Sequence, residues 1–374
     1  MYNRLLYQTI NSKLYKGKAI ILLGPRQTGK TTITKLIASN FAGKILLLNA
    51  DETNVRETLT NTSVVELKQI VGQANLVVID EAQRIVNIGL TLKLIVDNFP
   101  DIQLLVTGSS SLELLSEINE PLTGRKFEYK LFPISWEEYR EKHHYIEAKS
   151  SLENRLIFGM YPDVLNSIGN EIEILSNLAN SYLYKDLLNF NGIRKPELLE
   201  QLLKALALQL GNQVSYNELA QLLKVDKETI SNYIDLLEKA FVIFKVNSFN
   251  KNLRNELTKS KKIYFYDNGI RNAIIGNYNP FQNRNDIGAL WENFMISERM
   301  KHNFYHQKNN KIFFWRNQNQ QEIDYIEEVN GEINCYEFKW KEKINYKFPK
   351  VFTLAYLPKE AKCISVSNFE EFVM

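Results

Sequence analysis

Residues 24–31 are Gly24-Pro25-Arg26-Gln27-Thr28-Gly29-Lys30-Thr31, which match the phosphate-binding pattern G-x-x-x-x-G-K-[ST] at every fixed position. The preceding residues 19–23 are all apolar, as in a buried parallel strand, and residues 32–41 carry apolar side chains at helical spacing. A phosphate-binding loop needs this order of strand, loop and helix. We therefore interpret the stretch as a P-loop rather than as a turn that matches by accident.

Each part of such a loop has a physical role. Glycines let backbone N–H groups turn toward a polyphosphate, and the start of the following helix adds positive potential. We expect the Lys30 ammonium to contact the β and γ phosphates of ATP and the Thr31 hydroxyl to ligate Mg²⁺. The residues expected to bind the nucleotide are Gly24, Pro25, Arg26, Gln27, Thr28, Gly29, Lys30, Thr31 and Thr32.

Asn75 is followed by a second apolar run, residues 76–79, which ends in the carboxylates Asp80 and Glu81. Central parallel strands deliver acids to the carboxyl edge of a sheet in this way. We expect Asp80 to hold Mg²⁺ through water and Glu81, as a catalytic residue, to orient or deprotonate the attacking water. A surface turn after a strand could also end in Asp-Glu, but the P-loop about fifty residues upstream favours the catalytic interpretation.

Two further catalytic candidates follow. The apolar run 102–106 leads into Thr107 and Ser109, where P-loop ATPases commonly place a polar side chain that senses the γ-phosphate. Ser109 is the first candidate and Thr107 the second, and the serine equally suits the N-cap of the next helix. Arg125, in a polar turn, is a candidate arginine finger in cis or toward a neighbouring subunit, or simply a carboxylate partner.

Length and composition limit the number of domains and the classes of protein to which the chain can belong. With 374 residues, the chain is long enough for two or three domains, and 46 Lys and Arg against 43 Asp and Glu do not indicate a nucleic-acid binder by overall charge. Only two cysteines occur, without a C-x-x-C or Cys/His cluster in the sequence, which argues for a reducing compartment and against a zinc site. No signal peptide or long apolar stretch is evident, so we expect a soluble, cytoplasmic protein without membrane contact.

The middle of the chain is predicted to be helical over residues 152–210 and then to form a helix, a tight turn, a second helix over 227–240 and a strand. This order outlines a winged helix-turn-helix. The segment 245–262 is locally basic, which predicts contact with DNA phosphates. The alternative is a module that packs against protein, because the second helix also carries acids. Its outward candidates for DNA contact are Lys227, Thr229, Ser231 and Asn232.

The last part of the chain carries a second set of candidate catalytic residues. Glu337 and Lys339 are two apart on a predicted strand and project to one face, and a hairpin through Asn330-Gly331 would bring Asp324 beside them. With Glu292 on a nearby helix, the acids could hold one or two Mg²⁺ or Mn²⁺ ions while Lys339 steadies the attacking water in phosphodiester hydrolysis. Glu-x-Lys pairs also occur by chance on exposed strands.

The chain as a whole resembles the bacterial and archaeal AAA-type ATPases that join an N-terminal AAA domain to a C-terminal domain called DUF4143. The resemblance implies ATP with Mg²⁺, a winged-helix middle and a C-terminal α/β fold similar to the PD-(D/E)xK, or restriction-endonuclease-like, nucleases. In that nuclease pattern the metal-binding acids fall on Glu292, Asp324 and Glu337, and the lysine on Lys339; Trp340 directly after it is a departure. The motifs that carry the resemblance are the P-loop, Asp80-Glu81-Ala82-Gln83, Thr107-Gly108-Ser109-Ser110, Gly124-Arg125, Pro133-Ile134-Ser135-Trp136-Glu137-Glu138, Tyr264-Phe265-Tyr266-Asp267-Asn268-Gly269 and Glu337-Phe338-Lys339.

These observations predict an α/β protein with three regions: a parallel-sheet P-loop ATPase domain over residues 1–150, a helical and winged region over 151–276, and a nuclease-like domain over 277–374. The predicted function is Mg²⁺-dependent ATP hydrolysis coupled to a nuclease-like module that acts on or around DNA. The sequence does not decide whether the protein forms a homo-oligomer. The alternative is an ATP-gated regulatory protein whose nuclease-like fold is inert. A small-molecule kinase is disfavoured, because no Arg-rich lid follows the Asp80 strand.

Overall fold

The computed structural model describes residues 1–108, 118–180, 195–250, 261–343 and 346–374. The chain divides into two compact units. The first comprises residues 1–133 with 239–241, and the second comprises 134–238 with 242–374. The first unit therefore ends before the predicted boundary at residue 150, because the helices that follow Pro133 pack within the second unit.

The first unit is built on a five-stranded sheet in the order β2-β3-β4-β1-β5, and every neighbouring pair is parallel. All five residues of β1 are buried, as expected for an inner strand of a sheet covered on both faces. This arrangement confirms the predicted α/β class and its N-terminal parallel sheet. The strands are β1 (Ala19–Leu23), β2 (Ile45–Asn49), β3 (Leu76–Asp80), β4 (Gln103–Gly108) and β5 (Lys126–Lys130).

Helices connect these strands. Helix α2 begins at Lys30, directly after the P-loop, and buries Ile33 and Ile37. Helix α4 begins with a capping box, in which Ser63 and Glu66 satisfy each other's backbone N–H groups. The described helices of this unit are α1 (Leu5–Asn11), α2 (Lys30–Ser39), α3 (Thr53–Leu59), α4 (Val64–Val71) and α5 (Ile88–Asn98).

The second unit contains a seven-stranded mixed sheet in the order β12-β11-β10-β9-β7-β8-β6. Its strands are β6 (Gln213–Val214), β7 (Ile243–Ser248), β8 (Lys261–Phe265), β9 (Lys311–Arg316), β10 (Glu322–Val329), β11 (Glu332–Phe338) and β12 (Glu360–Ile364). The predicted boundary between residues 276 and 277 does not separate two compact bodies. The reason is that β7 pairs in parallel with β9, so strands from both sides of that boundary share one sheet.

Helices surround this sheet. The longest of those described, α14, presents Leu290, Trp291 and Phe294 to the interior. Helices α11 and α12 lie in the chain between β6 and β7, the order expected of a helix-turn-helix followed by a strand. The described helices of the unit are α6 (Trp136–Lys142), α7 (Tyr145–Phe158), α8 (Pro162–Asn166), α9 (Glu171–Leu178), α10 (Pro196–Leu208), α11 (Tyr216–Leu223), α12 (Lys227–Lys239), α13 (Asn268–Ile275), α14 (Ile287–Tyr305), α15 (Lys350–Tyr356) and α16 (Glu370–Val373).

Within the described ranges, the structure contains no helix with the length and apolar character needed to cross a lipid bilayer.

Candidate functional sites

The P-loop is held tightly between β1 and α2. Gly24 has φ +154°, and a Cβ there would lie 2.2 Å from the Leu131 carbonyl oxygen, so only glycine fits beside that strand end. Gly29 is the N-cap of α2, with φ +96°. Lys30 is buried, and its Nζ donates to the carbonyls of Gly24 and Pro25 at 2.9 and 2.8 Å. The loop thus wraps around an ammonium group, as phosphate binding requires.

The amino terminus braces this loop, a contact that no sequence motif indicated. Arg4 precedes α1, and its guanidinium donates to the Thr28 carbonyl at 2.5 Å and to the Phe132 carbonyl at 2.7 Å. The Thr28 hydroxyl in turn donates to the Pro25 carbonyl at 2.8 Å. A planar guanidinium with several fixed donors is well suited to joining two backbone segments. Arg4 therefore connects the P-loop, through hydrogen bonds, to the backbone of Phe132 just after β5.

Asp80 at the end of β3 lies beside Thr31, as the sequence predicted for residues that share one magnesium ion. The Thr31 hydroxyl donates to Asp80 Oδ2 at 3.0 Å. Thr107 at the end of β4 donates to the other carboxylate oxygen, Oδ1. Three parallel strands and the P-loop helix thus meet at one carboxyl edge, where open α/β sheets bind ligands.

Glu81 follows Asp80 in the left-handed backbone region, with φ +55°. Its N–H donates to the Thr107 hydroxyl at 3.2 Å, and its Oε2 accepts from Gln83 Nε2 at 2.7 Å. A non-glycine residue in this region stores strain and is commonly found at functional sites. Thr107 is fully buried between the two acids, so it positions them rather than reaching outward. Ser109, the first candidate for the sensing role, lies outside the described residues.

Arg125 occupies the opposite edge of the sheet from the P-loop. It immediately precedes β5, which runs parallel to β1, and its carbonyl accepts from Ala19 N at 2.9 Å. Its Nε donates to Asp97 Oδ1 at 2.6 Å in a partly exposed ion pair. An arginine finger acting in cis does not fit this position. The alternative prediction of a carboxylate partner describes the observed contact.

The acidic residues predicted near the C-terminus come together on the second sheet. Strands β10 and β11 pair antiparallel through Asn330 and Gly331, both with positive φ, and the register Tyr325 to Tyr336 sets Asp324 opposite Glu337. Lys339 Nζ donates to Glu337 Oε1 at 2.6 Å and lies 4.0 Å from Asp324 Oδ2. The same Asp324 oxygen accepts from Phe338 N at 2.9 Å.

Glu292 on α14 faces this cluster, but its partners differ from the prediction. Its Oε1 accepts from Lys262 Nζ at 2.9 Å and from the Tyr264 hydroxyl at 2.5 Å, and Lys262 is also paired with Glu322. Two donors therefore occupy Oε1 of Glu292, and its predicted role as a metal ligand stays a prediction. The sequence did not indicate that Lys262 and Tyr264, which lie on β8, belong to this acidic cluster. Glu322 could have been found, since it is two residues before Asp324 and such spacing favours one strand face.

Burial and like charges set the protonation of this cluster. Burial, together with the carboxylates of Glu292 and Glu337, raises the pKa of Asp324 well above its ordinary value. Burial acts to lower the pKa of Lys339, but Asp324 and Glu337 outweigh it and raise the pKa. For Lys262 the acids likewise overcome burial and raise the pKa. The cluster therefore holds both lysines charged and favours a proton on Asp324.

One feature of the chain bears on a cation between Asp324 and Glu337. Oε2 of Glu337 is buried and has no hydrogen-bond partner of normal geometry among the described residues, and the Tyr346 hydroxyl is the donor close to this carboxylate. Oxygen pairs of this kind are the ligands that Mg²⁺ and Mn²⁺ prefer. The two carboxylates therefore fit one divalent ion, which would replace the proton on Asp324.

The basic stripe predicted over residues 245–262 is partly used inside the fold. Lys245 forms ion pairs with Asp235 and Glu238, and Lys262 is buried against Glu292 and Glu322. Lys251, Arg254 and Lys259 lie outside the described residues. At the start of helix α12, the N–H and the hydroxyl of Thr229 both donate to the Asp226 carboxylate. Lys227 and Asn232 are exposed. Two of the predicted phosphate contacts are therefore internal ion pairs.

The P-loop, its acidic strand and the parallel sheet define the first unit as a nucleotide-binding domain of the ATPase type. Family models agree with this class. Residues 16–140 match an AAA domain (AAA_14), residues 149–280 match a domain of unknown function, DUF8612, and residues 287–372 match DUF4143. The chain therefore joins an N-terminal AAA domain to a C-terminal DUF4143 domain, which confirms the resemblance drawn from its motifs.

Similar proteins span most of the chain. An uncharacterized protein of Mycobacterium tuberculosis is 28% identical over 335 residues, covering 87% of this chain and 71% of the relative. An uncharacterized protein of Methanocaldococcus jannaschii is 24% identical over 370 residues, covering 91% of this chain and 79% of the relative.

Among solved structures, two coordinating Pif1 helicases unwinding forked dsDNA give a TM-score of 0.26 at 13% identity, covering 48% of this chain and 52% of that chain. Drosophila ORC bound to AT-rich DNA and Cdc6 gives 0.27 at 9% identity, covering 71% and 88%. Both TM-scores are too low for either structure to indicate what this chain does.

Proposed function

We propose that the first unit binds ATP and hydrolyses it with the help of Mg²⁺. The observation that carries the proposal is the meeting of Thr31, Asp80 and Thr107 at the carboxyl edge of the sheet, next to the P-loop lysine. The AAA match over residues 16–140 supports nucleotide binding by this unit. Thr31 and Asp80 would hold the magnesium ion, which would neutralise phosphate charge.

Lys30, Glu81 and Thr107 would then each have a separate role in ATP hydrolysis. The Lys30 ammonium stabilises negative charge that develops on the phosphates, and it is already inside the loop that must receive them. Glu81 accepts a proton from the attacking water, because its carboxylate lies beside the magnesium ligand Asp80 in sequence and is oriented by Gln83. Thr107 fixes the carboxylate of Asp80 and the backbone of Glu81 through one hydroxyl.

The test is the Glu81→Gln variant, which keeps the shape of the side chain and removes the base. We expect ATP affinity within about twofold of the native chain and turnover reduced roughly 100-fold or more. Glu57→Gln, an exposed position on α3, is the matched control and should hydrolyse ATP at the native rate. Native turnover in Glu81→Gln would remove Glu81 from the proposed role.

For the second unit, we propose a nuclease-like site formed by Asp324, Glu337 and Lys339 that acts on DNA. The acids would hold Mg²⁺ or Mn²⁺, and Lys339 would steady the attacking water. The support is the convergence of all three side chains on the β10–β11 hairpin, with Lys339 in contact with Glu337. The order of α11, α12 and β7 supports a winged helix-turn-helix, whose exposed Lys227 and Asn232 would contact DNA.

A second candidate is an ATP-gated regulatory protein in which this site is inert. One observation favours it: Lys262 and Lys339 already neutralise the acids, so the attraction for a metal ion is reduced. Cleavage of plasmid and single-stranded DNA with Mg²⁺ or Mn²⁺ separates the two candidates. Cleavage by the native chain and by Lys341→Ala, an exposed control, but not by Lys339→Ala supports the nuclease. No cleavage by the native chain supports the regulatory protein.

A further inference from the structure

Two histidines on one helix meet a glutamate from a distant part of the sequence, outside both sites described above. They are Glu137 on α6 and two histidines, His302 in the last turn of α14 and His306 at its C-cap. Their ligand atoms all lie within 4.8 Å of one another. His306 Nε2 is 2.9 Å from Glu137 Oε2, and His302 Nδ1 is 3.3 Å from the same oxygen.

The spacing of the histidines explains half of this geometry. Residues four apart on a helix project from the same face, and the two imidazole rings here have centroids 4.4 Å apart. Glu137 comes from another helix, whose first turn is fixed by the capping box of Ser135 and Glu138. The three ligands therefore approach from two rigid elements.

A buried ion pair within α14 hydrogen-bonds to the backbone at the start of α6 and so fixes the two helices to each other. Glu298 on α14 accepts from Trp136 N at 2.6 Å, and Lys301 on the same helix donates to Glu298 at 2.6 Å and to the Ile134 carbonyl at 3.3 Å. Glu137, His302 and His306 thus lie about one helical turn beyond the hydrogen bonds that connect α14 to α6. Positions supported in this way keep their ligand geometry without help from a bound ion.

We propose that Glu137, His302 and His306 bind a divalent transition-metal ion, with zinc as the ion that fits best. Two imidazole nitrogens and one carboxylate oxygen form a ligand set that suits zinc, and imidazole disfavours Mg²⁺ and Ca²⁺. Zinc bonds of about 2.0–2.1 Å in a tetrahedral site separate neighbouring ligand atoms by roughly 3.3–3.5 Å. The two distances from Glu137 Oε2 to the histidine nitrogens, 3.3 and 2.9 Å, need only small adjustments, and the partly exposed His306 leaves room for water as a fourth ligand.

Lys308 competes with the ion. Its Nζ lies 2.8 Å from His302 Nε2, so in this arrangement the second nitrogen of His302 accepts a hydrogen bond while Nδ1 faces Glu137. Coordination through Nδ1 requires the neutral imidazole with its proton on Nε2, and the Lys308 ammonium must then turn away from that N–H. Lys308 is exposed and free to do so at little cost. Replacing it should strengthen metal binding.

The test uses the full chain without an affinity tag, stripped with EDTA and titrated calorimetrically with ZnCl₂. We expect a saturable zinc equivalent that persists in the Asp324→Asn/Glu337→Gln double variant, which removes the candidate metal site on the β10–β11 hairpin, and in the Asp80→Asn variant, which removes the one beside the P-loop. A visible absorption spectrum with CoCl₂ should show the bands of a tetrahedral complex. His306→Ala should weaken zinc binding at least tenfold, and Lys308→Met should tighten it.

His144→Ala is the control, because His144 is an exposed histidine outside the cluster, and it should bind zinc as the native chain does. Circular dichroism of each variant shows that the fold is intact. An absence of saturable zinc in the native chain would overturn the proposal. So would a His306→Ala variant that binds zinc with native affinity, whatever the outcome of the ATPase and DNA-cleavage assays.

Discussion

The buried Thr107 hydroxyl donates to Asp80 Oδ1, although the two residues end different strands of the parallel sheet. The same hydroxyl accepts from the N–H of Glu81 at 3.2 Å. One threonine therefore sets the position of both acids that the proposed ATP hydrolysis requires.

Replacing Thr107 by valine keeps the volume of the side chain and removes this hydroxyl. We expect the turnover number for ATP to fall roughly 10- to 100-fold, because small displacements of catalytic groups cost rates of that order. A coupled phosphate-release assay measures the rate. Thr91→Val, which removes a buried hydroxyl bonded to the Leu59 carbonyl, is the control and should lose stability but not turnover. Equal turnover in Thr107→Val and the native chain would contradict the positioning role.

Arg125 should have little influence on hydrolysis within a single chain. Its ion pair with Asp97 is partly exposed and lies at the amino edge of the sheet, so Arg125→Ala should change stability by about 1 kcal/mol or less. ATP turnover in dilute solution should stay within about twofold of native. Rates measured over a range of protein concentrations test the remaining alternative, a finger supplied to a neighbouring subunit. A loss of turnover in dilute monomer would contradict the assignment.

Lys262 should be a major source of stability in the second unit. Lys262→Met removes the buried ammonium from the half-buried carboxylates of Glu292 and Glu322, and because Glu322 keeps Arg316 as a partner, the cost is about 3 kcal/mol, the lower end for a broken buried pair. Urea unfolding measures the loss, and Lys359→Met, which removes an exposed ion pair with Glu332, is the matched control with an effect below about 1 kcal/mol. Adding Glu292→Gln should recover part of the stability. A change in Lys262→Met no larger than in the control would show that the buried pair is not important.

Asp324 should make stability depend on pH when no divalent ion is present. Its folded pKa lies above the ordinary value of 3.8, so the folded state holds the proton longer than the unfolded state does. This contribution is full at low pH and is lost as pH rises from about 4 through the folded pKa. In EDTA, Asp324→Asn should therefore be more stable than the native chain at neutral pH, by about 1 kcal/mol or more, or roughly 2–4 °C per kcal/mol in Tm.

Thermal unfolding over a pH series tests the Asp324 prediction. The exposed Asp101→Asn is the control and should follow the native curve. Adding Mn²⁺ should raise the Tm of the native chain more than that of Asp324→Asn, because an ion bound at Asp324 replaces the proton. A stability advantage of Asp324→Asn over the native chain that does not grow between pH 4 and 7 in EDTA would contradict the assigned pKa.

Much of the first site was predictable because its determinants are local. The P-loop, the helix that begins at Lys30 and the acids that end β3 each depend on residues within a few positions of one another. Parallel strands bring their carboxyl ends to one edge, so the approach of Thr31 to Asp80 followed from the order of elements. The Asn330-Gly331 hairpin likewise set Asp324 against Glu337, since turn type fixes register.

The sequence by itself determined the P-loop domain, the acidic hairpin and the identity of their main side chains. Only the tertiary structure decided that Lys262 neutralises Glu292 and Glu322, that Arg4 braces the P-loop, and that Glu137 meets His302 and His306. These contacts join residues up to 169 positions apart. Local propensity and periodicity fix what each element is, but which elements become neighbours depends on the burial of the whole chain, and that information lies in no single segment.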